Sequence, residues 1–264
     1  MKKIKTVYFS ELLHTKHKAI FMELSSIITS HGYNVKTLIH TKDIWIRDFM
    51  PIVTNDGLLQ YQYTPDYLAD RYGDKIRSNP IESIQELGLE TKSIDLILDG
   101  GNMVMCDDTI IMTDKVYIEN PSLNNDKKIL ESIFYMYKKV IVIPWDKNEP
   151  YGHADGMVRF ISENHLLVNS QYPKSFKDKL QTRLIESGFK YTELKMKEDT
   201  KYAWGYINFL HLDNLIIQPS INKVNDSYVK SQLEELYPNT TIKLCDTRAL
   251  VKKGGVLNCI SWEL

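Results

Sequence analysis

Cysteine is scarce in this chain: 3 residues among 264, at positions 106, 245 and 259. Three thiols so widely spaced make neither a disulfide framework nor a zinc site. That usage suits a reducing compartment. Long apolar runs are missing as well, and none approaches the roughly 20 residues that span a bilayer. Charge of one sign is also missing. The 33 basic and 34 acidic residues leave a net charge of −1. Nucleic acid and anionic membranes are therefore not expected partners. The start, "MKKIKTVYFSELLHTKHK", is basic but soon alternates and turns charged. It has no long apolar stretch and no small-residue cleavage site, which argues against a secretory signal. A cytoplasmic location is the expectation. What is present is ordinary for a soluble globular protein: 43% hydrophobic and 25% charged residues. The length suffices for a substantial core.

Four stretches resemble one another: "RDFMPIVTNDGLLQYQY", "GGNMVMCDDTIIMTD", "HADGMVRFISENHLLVNSQ" and "INFLHLDNLIIQPS". Each has a leading polar residue, an apolar-rich strand and an Asn/Asp/Gly/Glu turn. Each then has a doubled aliphatic: Leu58-Leu59, Ile110-Ile111, Leu166-Leu167 or Ile216-Ile217. Strand, turn and strand is the hairpin pattern. Helical runs follow ("SIQELGLE", "NDKKILESIFYMYKKV", "SFKDKLQTRLIESGFK", "NDSYVKSQLEELYPN"), then short strands ("SIDLIL", "KVIVIPW", "YTELKM", "TIKLC"). The leading residues Asp48, Asn102, Asp155, Asn208 and Cys259 fall at spacings of 54, 53, 53 and 51 residues. A unit of that size repeated five times fills the chain. The N-terminal "IKTVYFS", followed by the helix "HTKHKAIFMELSSIITSHG", supplies what the last unit lacks. The pattern predicts an α/β fold of five ββαβ-like repeats in one domain over residues 1–264. Pairing of the first and last strands would close it into a five-fold pseudosymmetric propeller with few exposed sheet edges.

Equivalent positions in a ring point to one place, so the five leading residues are expected to converge. Arg47 stands beside Asp48, Asp99 before Asn102, and His153 beside Asp155. Glycines flank several of them and allow close backbone approach. A Cys–His pair is a nucleophile with a proton shuttle. Carboxylates around a thiol raise its pKa unless a cation intervenes. A guanidinium is such a cation, planar and held bidentately by carboxylates. These residue types point to attack by Cys259 on a guanidine carbon. Taken singly, Cys106 and Cys245 read as buried apolar residues, Arg47 as the partner of a nearby carboxylate, and Trp45 as core or pocket wall. Asn102 and Asn208 could bond their own backbone.

The motifs resemble a known family. "WIRDFMPI" is similar to the W-x-R-D-x-x-P stretch of agmatine deiminases and the bacterial peptidylarginine deiminases. "LDGGN", "GHADGMVRF" and "GGVLNC" are similar to the family's E-G-G-N/D, G-H-x-D and G-G-x-x-H-C segments. The resemblance runs from about Trp45 onward and implies the guanidine-modifying superfamily with its five-bladed pentein fold. It implies Cys259 as nucleophile, His153 as proton donor and then base, and Asp48 and Asp155 as clamps on the guanidinium nitrogens. Asp99 stands where the family usually has Glu and would orient His153 or bind a substrate nitrogen. Trp45, Asn102 and Asn208 are further expected substrate contacts. No metal or organic cofactor is implied; the partner is a small guanidine substrate, with a homodimer suggested by the family. The alternatives are a peptidyl- or free-arginine deiminase, an amidinotransferase, or a catalytically silent pentein that binds a macromolecule. Asn258 departs from the family's His, which leaves the substrate tail open; Trp45, Glu263 or the loop "TPDYLADRYGD" could meet an amine there.

Overall fold

A computed structural model describes residues 5–70 and 72–264. Ile4 of the expected first strand, the basic residues 2 and 3, and Arg71 of loop 64–74 lie outside the described residues. The chain forms strands β1 (Thr6–Ser10) and β2 (Asn34–Leu38), then β3 (Ile52–Thr54), β4 (Gly57–Gln62) and β5 (Thr91–Ile97). Next come β6 (Val104–Cys106), β7 (Thr109–Thr113), β8 (Lys139–Ile143), β9 (Val158–Ser162), β10 (His165–Asn169) and β11 (Lys190–Leu194). The series ends with β12 (Leu210–Leu212), β13 (Leu215–Ser220), β14 (Thr241–Asp246) and β15 (Trp262–Glu263).

These strands make five three-stranded sheets of one topology: β3-β4-β5, β6-β7-β8, β9-β10-β11, β12-β13-β14 and β15-β1-β2. In each, the first pair is antiparallel and the second parallel. A two-residue turn makes each of the four local hairpins, at Asn55-Asp56, Asp107-Asp108, Glu163-Asn164 and Asp213-Asn214. Each parallel pair needs a crossover, and helices supply it: Lys18–Ser30, Pro80–Glu86, Lys127–Ile133, Lys174–Glu186 and Lys223–Leu236. Several start where the sequence offers a cap. Asn79 accepts from the Ile81 N–H with Pro80 at the first helical position, Asp126 accepts from Lys128, and Asn222 from Val224 and Asn225. In the fifth sheet both chain ends meet: Val7 pairs with Glu263 and Tyr8 with Trp262.

Successive strand residues face opposite sides, and this explains the doubled aliphatics. Leu58 packs with Tyr8, Ile46, Phe49 and Trp262, whereas Leu59 packs with Ile52, Leu96 and Ile110. Ile110 and Ile111 divide in the same way, as do Leu166 and Leu167, and Ile216 and Ile217. Val7 and Tyr8 make the fifth such pair. Each apolar cluster therefore joins residues of two sheets.

Two helices differ from expectation. The run 125–140 is helical only over Lys127–Ile133, because Phe134 turns fully into the core. The first helical segment begins earlier, at Glu11, under a Ser10 cap, and breaks at His17 into Glu11–Lys16 and Lys18–Ser30. The last strand is anchored by Trp262, 1% exposed, whose Nε1–H donates to the Pro51 carbonyl at 2.8 Å. Its ring lies 5.3 Å from Tyr8. Trp262→Ala is expected to cost about 3–5 kcal/mol, read as a lower denaturant midpoint at unchanged slope.

Candidate active site

The five leading residues each stand a few positions before the first strand of a sheet. Asp48 sits in the single helical turn Ile46–Phe49, and Asn102 and Asp155 in the 3-10 turns Gly100–Asn102 and Ala154–Gly156. Asn208 ends the helix Ala203–Ile207. Cys259 lies in the turn before β15. All five are buried. Asp99 and His153 are the residues that cap the two 3-10 turns.

One half of the site is an imidazole between carboxylates. His153 Nε2 lies 3.0 Å from Asp99 Oδ2, and Nδ1 lies 3.8 Å from Asp48 Oδ1. The Gly101 N–H donates to the same Asp48 oxygen at 3.1 Å. A Cβ on Gly101 would stand 2.4 Å from His153 Nδ1, so only glycine lets the imidazole approach this backbone. Burial would lower the His153 pKa, but Asp48 and the hydrogen bond to Asp99 outweigh it and raise the pKa to about 10. Burial raises the Asp48 pKa, against the pull of His153; Asp99 and Asp155 add to the rise. His153 is thus an imidazolium at neutral pH.

The other half holds the thiol. Cys259 Sγ lies 3.2 Å from Asn208 Oδ1 and 3.8 Å from Asp155 Oδ2. The Cys259 N–H also donates to Asn208 Oδ1, at 3.3 Å. Burial, then Asp155 and Asp48, push the thiol pKa well above its ordinary value. Without a ligand the group stays protonated. The Asn258 side chain donates to Asp155 Oδ2 at 2.7 Å and accepts from Arg159 Nη1 at 3.0 Å. Arg47 makes a two-pronged ion pair with Glu263, at 2.8 and 2.7 Å. Burial alone would raise the Glu263 pKa, but Arg47 holds it down.

A cavity of about 360 Å³ opens between the halves, lined by His153, Asp155, Asn208 and Cys259. Tyr151, Tyr172, Trp204 and Met157 supply its apolar wall, and Asp146, Glu149 and Lys201 its charges. The loop bearing His153 is braced from beneath by Lys115, whose side chain is 1% exposed. Its Nζ donates to Asp66 Oδ1 and to the Tyr151 carbonyl, each at 2.9 Å. Tyr67 then stands edge-on to Tyr151, 5.1 Å between ring centres, and 6.2 Å from His153.

Cys259, His153, Asp155, Asp99, Asp48 and Asn208 thus come together. Asp48 and Asp99 support His153 and are not among the residues lining the cavity. Asn102 is turned to the framework: its Oδ1 accepts from the Thr113 N–H at 2.8 Å. Trp45 lies against Gly255 and the apolar cluster around Val256 rather than lining the cavity. Glu263 pairs with Arg47 and Asp66 Oδ1 with Lys115, and neither residue lines the cavity. Arg159, Lys115, Tyr67 and Tyr151 were not foreseen. Arg159 lies inside "GHADGMVRF", but its role depends on the distant Asn258 and Phe209.

The family model for Porphyromonas-type peptidyl-arginine deiminase matches residues 11–264. The chain belongs to this family. A similar relative is a Shewanella baltica protein named "Putative agmatine deiminase", 24% identical over 94% of this chain and 80% of its own length. Among solved structures, the family fold is matched by an agmatine deiminase of C. jejuni with a TM-score of 0.80. That match has 20% identity and covers 98% of this chain and 92% of that one. An amidinotransferase from Microseira wollei also matches, with a TM-score of 0.64 at 12% identity, covering 98% and 93%. The likeness to these structures shows the family's α/β fold of five similar small sheets.

The carboxylates around His153 make a direct prediction. Followed by NMR, the imidazole should hold its proton until pH approaches about 10. In Asp99→Asn the loss of a negative charge should move that titration to lower pH.

Proposed function

We propose that this family member is a deiminase that hydrolyses the guanidinium group of agmatine or a related arginine-derived guanidine. The observation that carries the reading is the company of Cys259. A buried thiol and a protonated imidazole line one cavity, with the buried carboxylates Asp48, Asp99 and Asp155 about them. A cationic substrate offsets that negative charge and favours the thiolate. Asp155, which lines the cavity, clamps the guanidinium nitrogens, and Asp48 adds its charge from beside His153.

The thiol gives up its proton as the cation binds, and the Cys259 sulfur bonds to the guanidine carbon. His153 passes its proton to one nitrogen, the C–N bond breaks, and ammonia leaves. The proton released by the thiol ends on that ammonia. A thiouronium remains on Cys259. Neutral His153 then takes a proton from water, whose oxygen bonds to the same carbon. The remaining hydroxyl proton passes to the sulfur as the C–S bond breaks, and a neutral ureido product leaves with the thiol restored. Asn208 holds the thiol and Asp99 orients His153. The chain acts as one catalytic domain whose five sheets close as a five-bladed ring. A cytoplasmic location accords with the scarce cysteine, and no helix among the described residues is long and apolar enough to cross a membrane.

The wall of the cavity favours an amine tail over an amino-acid head. Asp146 and Glu149 line it, and among the described residues Lys201 is its one lysine and no arginine lines it. A free arginine would place its carboxylate against that wall.

The test is a screen for ureido product and ammonia across agmatine, free arginine, methylated arginines and arginyl peptides. Agmatine is expected to lead. Cys259→Ala should abolish turnover, and chelator should leave it unchanged. Absence of ureido product from every guanidine would sink the proposal, and product formed only with an amine acceptor would make it amidino transfer.

A further inference from the structure

We infer that Asn258 is a positioning residue: its carboxamide relays between Arg159 and Asp155 and sets which face of the Asp155 carboxylate meets the substrate. Arg159 can only donate and an ionised Asp155 can only accept. The group between them must therefore accept on one side and donate on the other. Asn258 does both, with Oδ1 at 3.0 Å from Arg159 Nη1 and Nδ2 at 2.7 Å from Asp155 Oδ2. Those partners also fix which end of the amide is oxygen.

The consequence lies in the position of one charge. Asp155 Oδ2 is occupied from below, so Oδ1 is the oxygen left for a ligand. If the amide were missing, Arg159 could reach toward Asp155 and draw the carboxylate from the cavity. The backbone of Asn258 is held as well. Its N–H donates to the Asn208 carbonyl at 3.1 Å, and its carbonyl accepts from Arg47 Nε at 3.4 Å and Ser261 Oγ at 3.2 Å. The residue before the thiol is thus tied to both arginines and to Asn208. Below it lies a second cavity, of about 210 Å³, lined by Arg47, Arg159, His211, Asn258 and Glu263. Asn258 lines this cavity and bonds to Asp155, which lines the one that holds Cys259.

An amide does this work without titrating, and its replacements should not. The charged or titratable groups facing position 258 are Asp155, Cys259, Arg159, Arg47, Glu263 and His211. In Asn258→Asp, two carboxyl groups meet at hydrogen-bond distance and share a proton, because both cannot ionise there. While that proton stays, the new carboxyl still donates to Asp155. Once it leaves, the relay fails and a negative charge is added near the thiol. In Asn258→His, a neutral ring can accept from Arg159 and donate to Asp155, whereas an imidazolium cannot accept. The two variants should therefore fail in opposite directions.

The kinetic arm of the test rests on the deiminase reading; the chemical arm does not. With agmatine, Asn258→Ala is expected to lose about 100-fold in kcat/KM at all pH values, as misplacement of a reacting group does. Relative to wild type, Asn258→Asp should lose turnover as pH rises and Asn258→His as pH falls. Alkylation of Cys259 by iodoacetamide, followed by peptide mass, needs no substrate. In Asn258→Asp its pH profile should move to higher pH. A wild-type chain that turns over no guanidine overturns the deiminase reading and leaves the alkylation test standing. Profiles of both titrating variants that run parallel to wild type in both assays overturn the inference, because a merely structural role gives a loss independent of pH.

Discussion

The central strand of every sheet is buried on both faces, and the rest of the molecule follows from this. A strand with one wet face can alternate apolar and polar residues, whereas one packed on both sides cannot. Ile110 and Ile111 are each fully buried, yet they belong to different clusters. The same division at Leu166-Leu167 and Ile216-Ile217 couples each sheet to two neighbours. The framework holds the short turns before β3, β6, β9, β12 and β15 in equivalent places. Polar side chains can be carried there because the clusters between sheets already supply the apolar burial.

The cost appears at the site itself. Asp48, Asp99 and Asp155 are removed from water, near a thiol that burial, then Asp155 and Asp48, keep protonated. The arrangement is unfavourable unless charge is matched, and the match is made in pieces. Asp99 is set against His153, Asp155 against the Asn258 amide, and Asp48 against the Gly101 N–H. Asp99 Oδ1 and Asn208 Nδ2 remain buried without a partner. Such atoms cost free energy in an empty protein. They mark where stability has been given up for recognition.

Much of this was legible in the sequence because a repeat is a local signal copied several times. The turn pairs, the doubled aliphatics and the spacing of Asp48, Asn102, Asp155, Asn208 and Cys259 each recur, and together they set the register. The pairing of β1 with β15 also followed, since one unit lacked a strand that the opposite end could provide. What could not be read was anything made by a single long-range contact. Arg159 reaches Asn258 across 99 positions and Lys115 reaches Asp66 across 49. Neither contact leaves a periodic trace. Trp45 had two readings, core or pocket wall and substrate contact, and the first is the one its packing fits. Its place beside Arg47-Asp48 suggested contact with a ligand, but the backbone turns there and the indole packs on Gly255.

The sheet that carries Cys259 is assembled from both ends of the chain. Its β1–β2 pair comes from the first strands among the described residues, whereas β15 is the last of them. A nascent chain can therefore complete the four other sheets while this one still lacks an edge strand. The pairing of Val7 with Glu263 adds to the bonds through Asn208 and Asn258 that seat the thiol. The contact that joins the two ends of the described chain is thus also a contact beside the thiol.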